Sequence, residues 1–325
     1  MRSHPTKSDG HRAKRPPLAE ILVTGGCGFI GREAVRQLTA DGHGVRVLDN
    51  LAYAAAPVAE GAAVLIEGSV GDRDVLRRAL EGVEGCVHLA GSPVLGDPRS
   101  DMTHDTEPFL AAADVLFSEA ARAGVPVVYA SSAAVYGAGQ SARIAESGPT
   151  VPVNAHGAEK RALELTAERY AARDGIPSIG LRMFNVYGPG QSPKSPYCGV
   201  VRLFAEKIMT GAEAAIRGEG AQARDFVYVS DAARAIGLAL ALPLDGARVV
   251  NICTGQPVTI LDVITRLEGA TGKTLRRRQE PDPGTAVAVS VGDPALAKYL
   301  LGFTAEISFD DGVERMMRAL AQGSA

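Results

Sequence analysis

A glycine-rich segment followed by a single acid gives this chain its clearest chemical signature. The segment reads Thr24-Gly25-Gly26-Cys27-Gly28-Phe29-Ile30-Gly31, and Asp49 follows its last glycine by 18 residues. Closely spaced glycines let bare backbone approach a pyrophosphate, and a helix that begins at such a turn adds N–H donors and positive potential. A carboxylate at this distance accepts hydrogen bonds from adenosine ribose hydroxyls and repels a 2′-phosphate. The spacing therefore predicts binding of NAD in preference to NADP.

The elements around these residues are those that such a site needs. An apolar run at 21–23 precedes the glycines, helical spacing extends from 29 to 38, and a second apolar run at 45–48 ends at Asp49. A tight turn between a strand and a helix is the alternative, and the acid placed after the second strand argues against it. The cofactor-binding residues predicted from this pattern are Gly25, Gly28, Phe29, Ile30, Gly31, Asp49 and Asn50.

Short apolar runs alternate with helical patterns through the first 185 residues. The predicted strands lie at 45–48, 64–66, 86–89, 125–130 and 178–183, and the predicted helices near 29–41, 72–81, 107–123 and 156–174. Alternation of this kind is typical of a parallel sheet with right-handed crossovers. We therefore predict an α/β fold with a doubly wound parallel sheet of the Rossmann type, joined to a smaller C-terminal α/β domain.

The amino-acid composition changes after Gly188-Pro189-Gly190, where Pro, Gly and Ser become frequent, and a helix is predicted near 200–210. We predict a basic, disordered lead-in at 1–17 and an NAD-binding domain at 18–188 with returning segments near 225–256. Residues 189–325 are predicted to form mainly a substrate-binding domain. Because open α/β sheets bind ligands beyond the carboxyl ends of their strands, we expect this domain to cover that edge.

Composition narrows the classes of function. The 325 residues carry a net charge of −3 with acids and bases interspersed, which favours neither nucleic acid nor an anionic membrane as a partner. No apolar run approaches the roughly 18 residues that span a bilayer, and residues 1–17 lack the apolar core of a signal peptide. The four cysteines have no metal-binding spacing and are typical of reduced thiols. We expect a cytoplasmic protein without a metal.

Five segments in a fixed order go beyond what the fold requires. They are TGGCGFIG at 24–31, LDNL at 48–51, SSAAVYG at 131–137, RMFNVYGPGQ at 182–191 and GEGAQARDFVYVSD at 218–231. With them the chain resembles the extended short-chain dehydrogenase/reductase family, and within it the NAD-dependent nucleotide-sugar epimerase and dehydratase branch, from about residue 19 to residue 315. The resemblance implies a tightly held NAD that takes a hydride from a sugar carbon and usually returns it.

The resemblance also implies roles for individual residues. Ser132 matches the family's active-site Ser/Thr, which hydrogen-bonds the sugar hydroxyl, and Lys160 matches the lysine that bonds the nicotinamide ribose. Asn185 and Arg224 match positions that hold the substrate's diphosphate, a task that suits the planar fork of arginine. Further positions of the cofactor site are Ser69 and Val70, with Leu89, Ala90 and Gly91 beneath the cofactor, and further positions of the substrate site are Val200 and Arg217. Ser69 replaces an Asp that contacts the adenine amine in the family.

Each of the main residues has a structural alternative. Ser132 suits the cap of a turn or helix, and a lysine on a helix, such as Lys160, is usually solvated. Asn185 beside a Gly-Pro pair suits a turn, and Arg224 with Asp225 suits an ordinary surface ion pair. The burial and the contacts of each side chain separate the two interpretations.

The clearest departure from the family concerns the catalytic base. The family has a tyrosine four residues before the lysine, and His156 stands in its place. An imidazole begins with a pKa near 6.5, and the charges of Lys160 and the nicotinamide lower it, so His156 is a neutral base that can accept a hydroxyl proton as hydride leaves. A lost base, in a non-redox NAD-binding protein, is the alternative. Glu159 shares a helical face with His156 and could orient the ring, although a solvated glutamate is the more common explanation.

Epimerisation of a nucleotide sugar is the reaction predicted from this set. Dehydratases of the family carry an acid shortly after the active-site Ser/Thr, whereas this chain has Ala133 and Ala134. Asp282-Pro283-Gly284-Thr285 replaces an Arg-Pro-Gly-Asp whose arginine binds phosphate, which leaves an unusual nucleotide sugar or a nucleoside open as substrate. Other NAD-dependent chemistry on such substrates (dehydration, decarboxylation or dehydrogenation) and a non-catalytic NAD-binding regulator also stay open. By analogy with the family we expect a homodimer through helices like 107–123 and 156–174.

Overall fold

The computed structural model of the chain describes residues 19–52, 54, 63–91, 102–138, 143–193, 198–281 and 287–322. The predicted lead-in at 1–17 and the segment 282–285 lie outside the described residues. The strands are β1 (Glu20–Thr24), β2 (Gly44–Asp49), β3 (Ala63–Glu67), β4 (Gly85–His88), β5 (Val127–Ser132), β6 (Ser178–Met183), β7 (Asn185–Tyr187), β8 (Ala214–Arg217), β9 (Ala223–Arg224), β10 (Phe226–Tyr228), β11 (Ala247–Ile252), β12 (Val258–Thr259), β13 (Arg277–Glu280) and β14 (Val289–Ser290). The helices are α1 (Phe29–Ala40), α2 (Arg73–Leu80), α3 (Met102–Ala123), α4 (Ala155–Asp174), α5 (Val200–Thr210), α6 (Val229–Leu240), α7 (Ile260–Thr271), α8 (Ala295–Leu301) and α9 (Phe309–Ala321), with a 3-10 helix at Ala133–Tyr136.

A central sheet of parallel strands confirms the predicted doubly wound α/β fold. Within the described residues its order is β3-β2-β1-β4-β5-β6-β11. Alternate side chains of one strand enter two different cores, as Val23 and Leu22 of β1 do. Helices α1 and α6 pack together on one face, and α2, α3 and α4 pack on the other. The inner strands are therefore buried on both faces, which explains why they are continuous apolar runs in the sequence. On the edge strand β3, Val64 and Leu65 are 60% and 39% exposed.

The later part of the chain returns to this sheet before building a separate core. Strand β11 pairs with β6, and α6 packs against α1. A third apolar cluster joins α5, α7 and α9 to β7 and β10, with the rings of Tyr187, Phe226 and Phe309 in contact at its centre. The division into domains proposed from the sequence stays a prediction.

Two boundaries differ from the sequence prediction in ways that concern the site. Strand β5 continues to Ser132, whereas the apolar run ends at Ala130. The strand extends past Ala130 because Ser131, only 3% exposed, has a polar partner inside the protein. Helix α4 begins at Ala155 because the Asn154 side chain accepts a hydrogen bond from Gly157 N at 2.8 Å and so caps the helix.

The described helices are all too short or too polar to cross a membrane.

Candidate active site

The glycine turn after β1 packs tightly against the end of β4. Gly25 has a φ of +71°, and a Cβ built on it would lie 2.5 Å from Ala90 N. A Cβ on Gly31 would lie 2.1 Å from Gly25 O, so the first turn of α1 touches the glycine turn itself. The Leu89 amide donates to Thr24 O at 3.0 Å. The structure therefore brings the predicted loop of Leu89, Ala90 and Gly91 beside the glycines.

The N-terminus of α1 fits the pyrophosphate role that the sequence predicts. Gly28 is the N-cap and provides no side-chain cap, so no side-chain oxygen of the N-cap accepts from the first-turn amides of Phe29, Ile30 and Gly31. Orphan donors and the positive end of the helix dipole favour an anion at this position. A glycine at each close contact keeps side chains out of the space in front of these amides.

Asp49 is anchored at the carboxyl end of β2. Its Oδ2 accepts from Cys27 N at 2.9 Å and its Oδ1 accepts from Leu51 N at 2.8 Å. Each carboxylate oxygen has a second lone pair to offer a ribose hydroxyl. Asn50 is exposed and its Oδ1 accepts from Ala52 N at 3.1 Å, while Leu51 has the positive φ of 60° that non-glycine residues rarely adopt. The two amides thus hold the Asp49 carboxylate in one orientation at the carboxyl end of β2.

Ser69 and Val70 lie one strand further along the same edge. They follow β3, which pairs with β2 through Asp49 and Glu67. Ser69 is exposed and its hydroxyl accepts from Gly71 N at 3.2 Å, whereas Val70 is 8% exposed. Both positions are compatible with the adenine side of the predicted cofactor site.

Lys160 is a buried cation, which overturns the alternative that it is solvated. It is 7% exposed, and its Nζ lies 5.4 Å from the centroid of the Phe109 ring and 3.9 Å from where a Cβ of Gly91 would stand. Burial lowers the pKa of Lys160 to about 8, while the neighbouring charge of Glu159 raises it. Its ammonium group therefore lies beside the loop that follows β4.

His156 is largely shielded from solvent and neutral. Burial, with the charge of Lys160 as the second cause, lowers the pKa of His156 to about 4. The sequence argument named only the charges, and the larger effect is desolvation of the imidazolium. Glu159 is 1% exposed, so its interpretation as a solvated glutamate is wrong.

Gly157 explains how the first turn of α4 comes close to the end of β5. A Cβ on Gly157 would lie 2.4 Å from Ala134 O and 2.9 Å from the Pro152 Cβ. The first turn of α4 therefore rests directly on the 3-10 helix that follows Ser132. Ser132 caps that helix, accepting from Ala134 N at 3.1 Å, as the alternative for this residue foresaw. Accepting this bond leaves the hydroxyl proton of Ser132 available for a donor role.

Asn185 is the first residue of β7, and Arg224 is the last residue of β9, directly before Asp225. Both the backbone amide and the Nδ2 of Asn185 donate to Asp225 O, at 2.9 and 3.1 Å. Asp225 does not form the suggested surface ion pair with Arg224, because it is fully buried and accepts from Thr254 N and Gly255 N, each at 2.8 Å. Arg224 is half-buried, and burial lowers its pKa. The structure thus gives Arg224 a partly desolvated guanidinium, while Asn185 bonds to the backbone of the adjoining Asp225, whose carboxylate bonds to backbone amides.

Val200 and Arg217 come from separate elements of the C-terminal part. Val200 is the first residue of α5 and Arg217 the last residue of β8, where its side chain is exposed. No contact in the described residues joins either side chain to Arg224, so their substrate roles stay predictions.

One site residue escaped the sequence argument. His88, at the end of β4, is 4% exposed, and its Nδ1 lies 2.8 Å from the hydroxyl oxygen of Thr24. Burial, and secondarily the charge of Lys160, lowers the pKa of His88 to about 3. The sequence feature that could have identified His88 is its position at the end of an apolar strand, directly before Leu89. Lys160 therefore faces two neutral imidazoles, His88 and His156.

The two buried histidines predict a loss of stability in acid. Their pKa values of about 4 for His156 and about 3 for His88 lie below the ordinary 6.5 of an unfolded chain. Between these values the unfolded chain binds more protons, so the free energy of unfolding falls as the pH falls below about 6.5. From pH 7 to pH 5 we expect a loss on the order of 2 kcal/mol from each ring. Urea unfolding at both pH values measures this fall in the free energy of unfolding. If a His156→Gln variant loses as much stability between the two pH values as the wild type does, the contribution of His156 is contradicted.

Comparisons with known proteins agree with this geometry. A model of the NAD dependent epimerase/dehydratase family matches residues 21–253. A UDP-glucose 4-epimerase of Azospirillum brasilense is 32% identical over 294 residues, 82% of this chain and 83% of the relative. A dTDP-glucose 4,6-dehydratase of Streptomyces niveus is 30% identical over 308 residues, 90% of each chain. The crystal structure of a UDP-glucose 4-epimerase of Thermus thermophilus in complex with NAD has a TM-score of 0.86 at 29% identity, covering 94% of this chain and 100% of that one.

The family match spans the glycine turn, Asp49, Ser132 and α4, and it ends at Cys253 after the last strand of the central sheet. The family predicted from the sequence motifs is confirmed. The chain belongs to the NAD-dependent epimerase/dehydratase family, and it is an enzyme of that family with NAD as its cofactor.

Proposed function

We propose that the chain epimerises a nucleotide sugar by transient hydride transfer, with His156 as the base in place of the family's tyrosine. The contact of Gly157 with Ala134 carries this proposal, because it holds the first turn of α4 against the segment that follows Ser132. We expect this contact to gather the hydroxyl, the imidazole and the ammonium group at the carboxyl edge of the sheet, where α/β folds of this type bind their ligands.

The residues of this chain divide the proton chemistry among them. Bound NAD supplies a hydride acceptor that later returns the hydride. His156 removes the proton of the sugar hydroxyl, Ser132 hydrogen-bonds the same oxygen, and Lys160 keeps the imidazole neutral through its charge. After the keto sugar has turned its other face, His156 returns the proton to the oxygen. Gly25, Gly28, Gly31 and Asp49 hold the cofactor in place.

Two observations favour epimerisation over dehydration, although the relatives include both kinds of enzyme. The residues after Ser132 are Ala133 and Ala134, which offer no proton for a leaving hydroxyl. The half-exposed alanines lie in the 3-10 helix, where an acid would have to stand to reach the sugar.

A diphosphate is the counter-ion that suits Arg224. Its guanidinium is partly desolvated, and the Asp225 carboxylate is occupied by the amides of Thr254 and Gly255. Within the described residues the Arg224 guanidinium donates to Ala223 O and forms no ion pair, and a half-buried cation in that state is costly unless an anion binds there. The exposed side chain of Asn185 bonds to the backbone of Asp225, the residue after Arg224, so we expect both side chains to share the phosphate oxygens. These contacts support a nucleoside diphosphate sugar as the substrate.

An assay over a panel of nucleotide sugars tests the proposed function. The protein with NAD is incubated with UDP- and dTDP-linked hexoses, and epimer exchange is followed by NMR. We expect exchange for at least one sugar, and a roughly 10–100-fold higher KM in the Arg224→Met variant, because a charge-assisted phosphate contact is lost. Arg248→Met, an exposed arginine near the opposite end of the sheet in β11, is the control. Absence of exchange and of any nicotinamide absorbance change across the panel would contradict the proposal.

A homodimer through α3 and α4 is part of the same proposal. The two helices pack against each other, and Arg169 of α4 pairs with Asp114 of α3. Leu110 and Leu165 remain 37% and 49% exposed on these helices and support an apolar contact with a second copy. Light scattering that gives the mass of a single chain would rule this arrangement out.

A further inference from the structure

A buried polar network runs underneath the proposed catalytic residues. At its centre Glu164 of α4, fully buried, forms an ion pair with Arg182 of β6, which is 3% exposed. Arg182 donates from Nε to Oε1 at 2.8 Å and from Nη2 to Oε2 at 2.9 Å. The Ser131 hydroxyl donates to the same Oε1 at 2.6 Å, and Arg161 donates to Oε2 at 3.0 Å. Both oxygens of the carboxylate are therefore occupied.

The network continues from Arg182 to the segment after Ser132. Arg182 Nη1 donates to the Tyr136 hydroxyl and to Glu146 O, each at 3.0 Å. The Tyr136 hydroxyl donates to Asn251 Oδ1 at 2.6 Å, and Asn251 Nδ2 donates to Ile144 O at 2.8 Å. Tyr136 and Asn251 are 1% and 0% exposed. Separate elements of the chain are thus joined by bonds that solvent hardly reaches.

The positions of these residues relate directly to the site. Ser131 precedes Ser132 in β5, and Tyr136 closes the 3-10 helix that begins one residue after Ser132. Glu164 follows Lys160 by four residues, one helical turn further along α4. The ion pair therefore holds the strand that carries the proposed hydroxyl on one side and the helix that carries the proposed base on the other.

Stability alone does not account for this arrangement. Removing two charges from water is expensive, and well-packed apolar residues often replace a buried ion pair without loss of stability. A bidentate arginine–carboxylate pair with further hydrogen bonds does supply fixed geometry. Misplacement of reacting groups by about 1 Å reduces turnover roughly 100-fold, so geometry at this point has a large effect on rate.

We propose that Glu164 and Arg182 are positioning residues that set the distance between Ser132 and His156. The ion pair tethers β5 through Ser131 and the 3-10 helix through Tyr136, and it tethers α4 through Glu164 itself. The proposal rests on the proposed function, since it assigns the network to the same proton transfer.

A double variant without any change of charge tests the tethers. Ser131→Ala with Tyr136→Phe removes both hydroxyls and leaves the Glu164–Arg182 pair intact. The matched control, Ser178→Ala with Tyr170→Phe, removes the same two kinds of buried hydroxyl, at the start of β6 and on the far part of α4. We expect kcat to fall about 10–100-fold in the test variant, with KM unchanged within about twofold. In the control, kcat stays within about twofold of wild type.

A second readout does not depend on turnover. The pKa of His156, about 4 in the intact protein, is measured by NMR titration of the ring in both variants. Release of the segment around Ser132 from α4 lets solvent reach the imidazole, so we expect a rise of about one unit or more in the test variant only. If no variant and no wild-type protein turns over a nucleotide sugar, the proposed function fails while this titration still decides the positioning role. Test and control variants that match in kcat and in the pKa of His156 would overturn the proposal.

Discussion

We expect His156→Ala to lower kcat for epimer exchange by about 10²–10⁴-fold while bound NAD is retained, because a positioned general base contributes about that factor. The neutral imidazole, held beside Lys160 with a pKa of about 4, is the group proposed to take the hydroxyl proton. None of the described contacts that anchor the glycine turn or Asp49 involves His156. The rate of exchange by NMR and the NAD content of the purified variant measure the two effects separately.

Free imidazole provides the control for this loss. Added imidazole should restore part of the turnover of His156→Ala, because the truncated side chain leaves space at the position of the ring. His43→Ala, a half-exposed histidine between α1 and β2 whose Nδ1 accepts from Ala19 N, should turn over like wild type. Unchanged turnover in His156→Ala would remove His156 from the mechanism.

Replacement of His156 by tyrosine distinguishes two hypotheses about the pocket around the proposed base. A phenol is longer than an imidazole and has an ordinary pKa near 10, so it needs the charge of Lys160 to ionise near neutral pH. Activity gained by His156→Tyr would describe a family site with an altered base. Activity lost would mean that the pocket around α4 has been rebuilt to fit the imidazole. The two outcomes are distinguished by the same exchange assay.

The second large effect is expected from Gly31→Ala. A Cβ at this position would lie 2.1 Å from Gly25 O and 2.8 Å from Gly26 Cα, both of them backbone atoms. The methyl group cannot fit unless the glycine turn moves away from α1, and overpacking of this kind destabilises by about 1–3 kcal/mol. Because the displaced turn is the proposed pyrophosphate site, we expect the Kd for NAD to rise at least about 100-fold. Titration calorimetry of the stripped protein measures this change.

Gly269→Ala is the matched control for that prediction. Gly269 lies inside α7, and a Cβ built on it meets nothing within 4 Å. Alanine in a helix interior is more favourable than glycine by roughly 0.5–1 kcal/mol, so this variant should keep its affinity for NAD and unfold at a slightly higher temperature. Normal NAD binding by Gly31→Ala would contradict the assigned role of the turn.

Local patterns in the sequence predicted most of the fold. The glycine turn, Asp49 and the alternating apolar runs each depend on residues close together in the chain, and the parallel sheet follows from their order. The end of β5 was missed because Ser131 and Ser132 are polar, and the burial of Ser131 depends on a partner, Glu164, that lies 33 residues away. A prediction from hydrophobic periodicity uses only residues close together in the chain, so it cannot identify such a partner.

The polar residues around the site show the same limit. Glu159 was interpreted as solvated because glutamates on helices usually are, yet the packing of α4 buries it. A surface ion pair with Arg224 was the alternative for Asp225, and the structure instead surrounds its carboxylate with the amides of Thr254 and Gly255. Residue type and spacing predict where the chemistry lies, whereas the state of each charge is set by elements that only the folded chain brings together.

The central claim is that His156 exchanges a proton with the sugar hydroxyl while hydride leaves the same carbon. A crystal structure of the chain with NAD and its nucleotide sugar tests this most directly, through the distance from the imidazole to that hydroxyl oxygen. We expect a ring nitrogen within about 2.6–3.2 Å of the oxygen, or one water molecule joining them. An imidazole turned away from the nicotinamide, with no bridging water to the sugar, would contradict the mechanism and leave a protein that holds NAD without using His156.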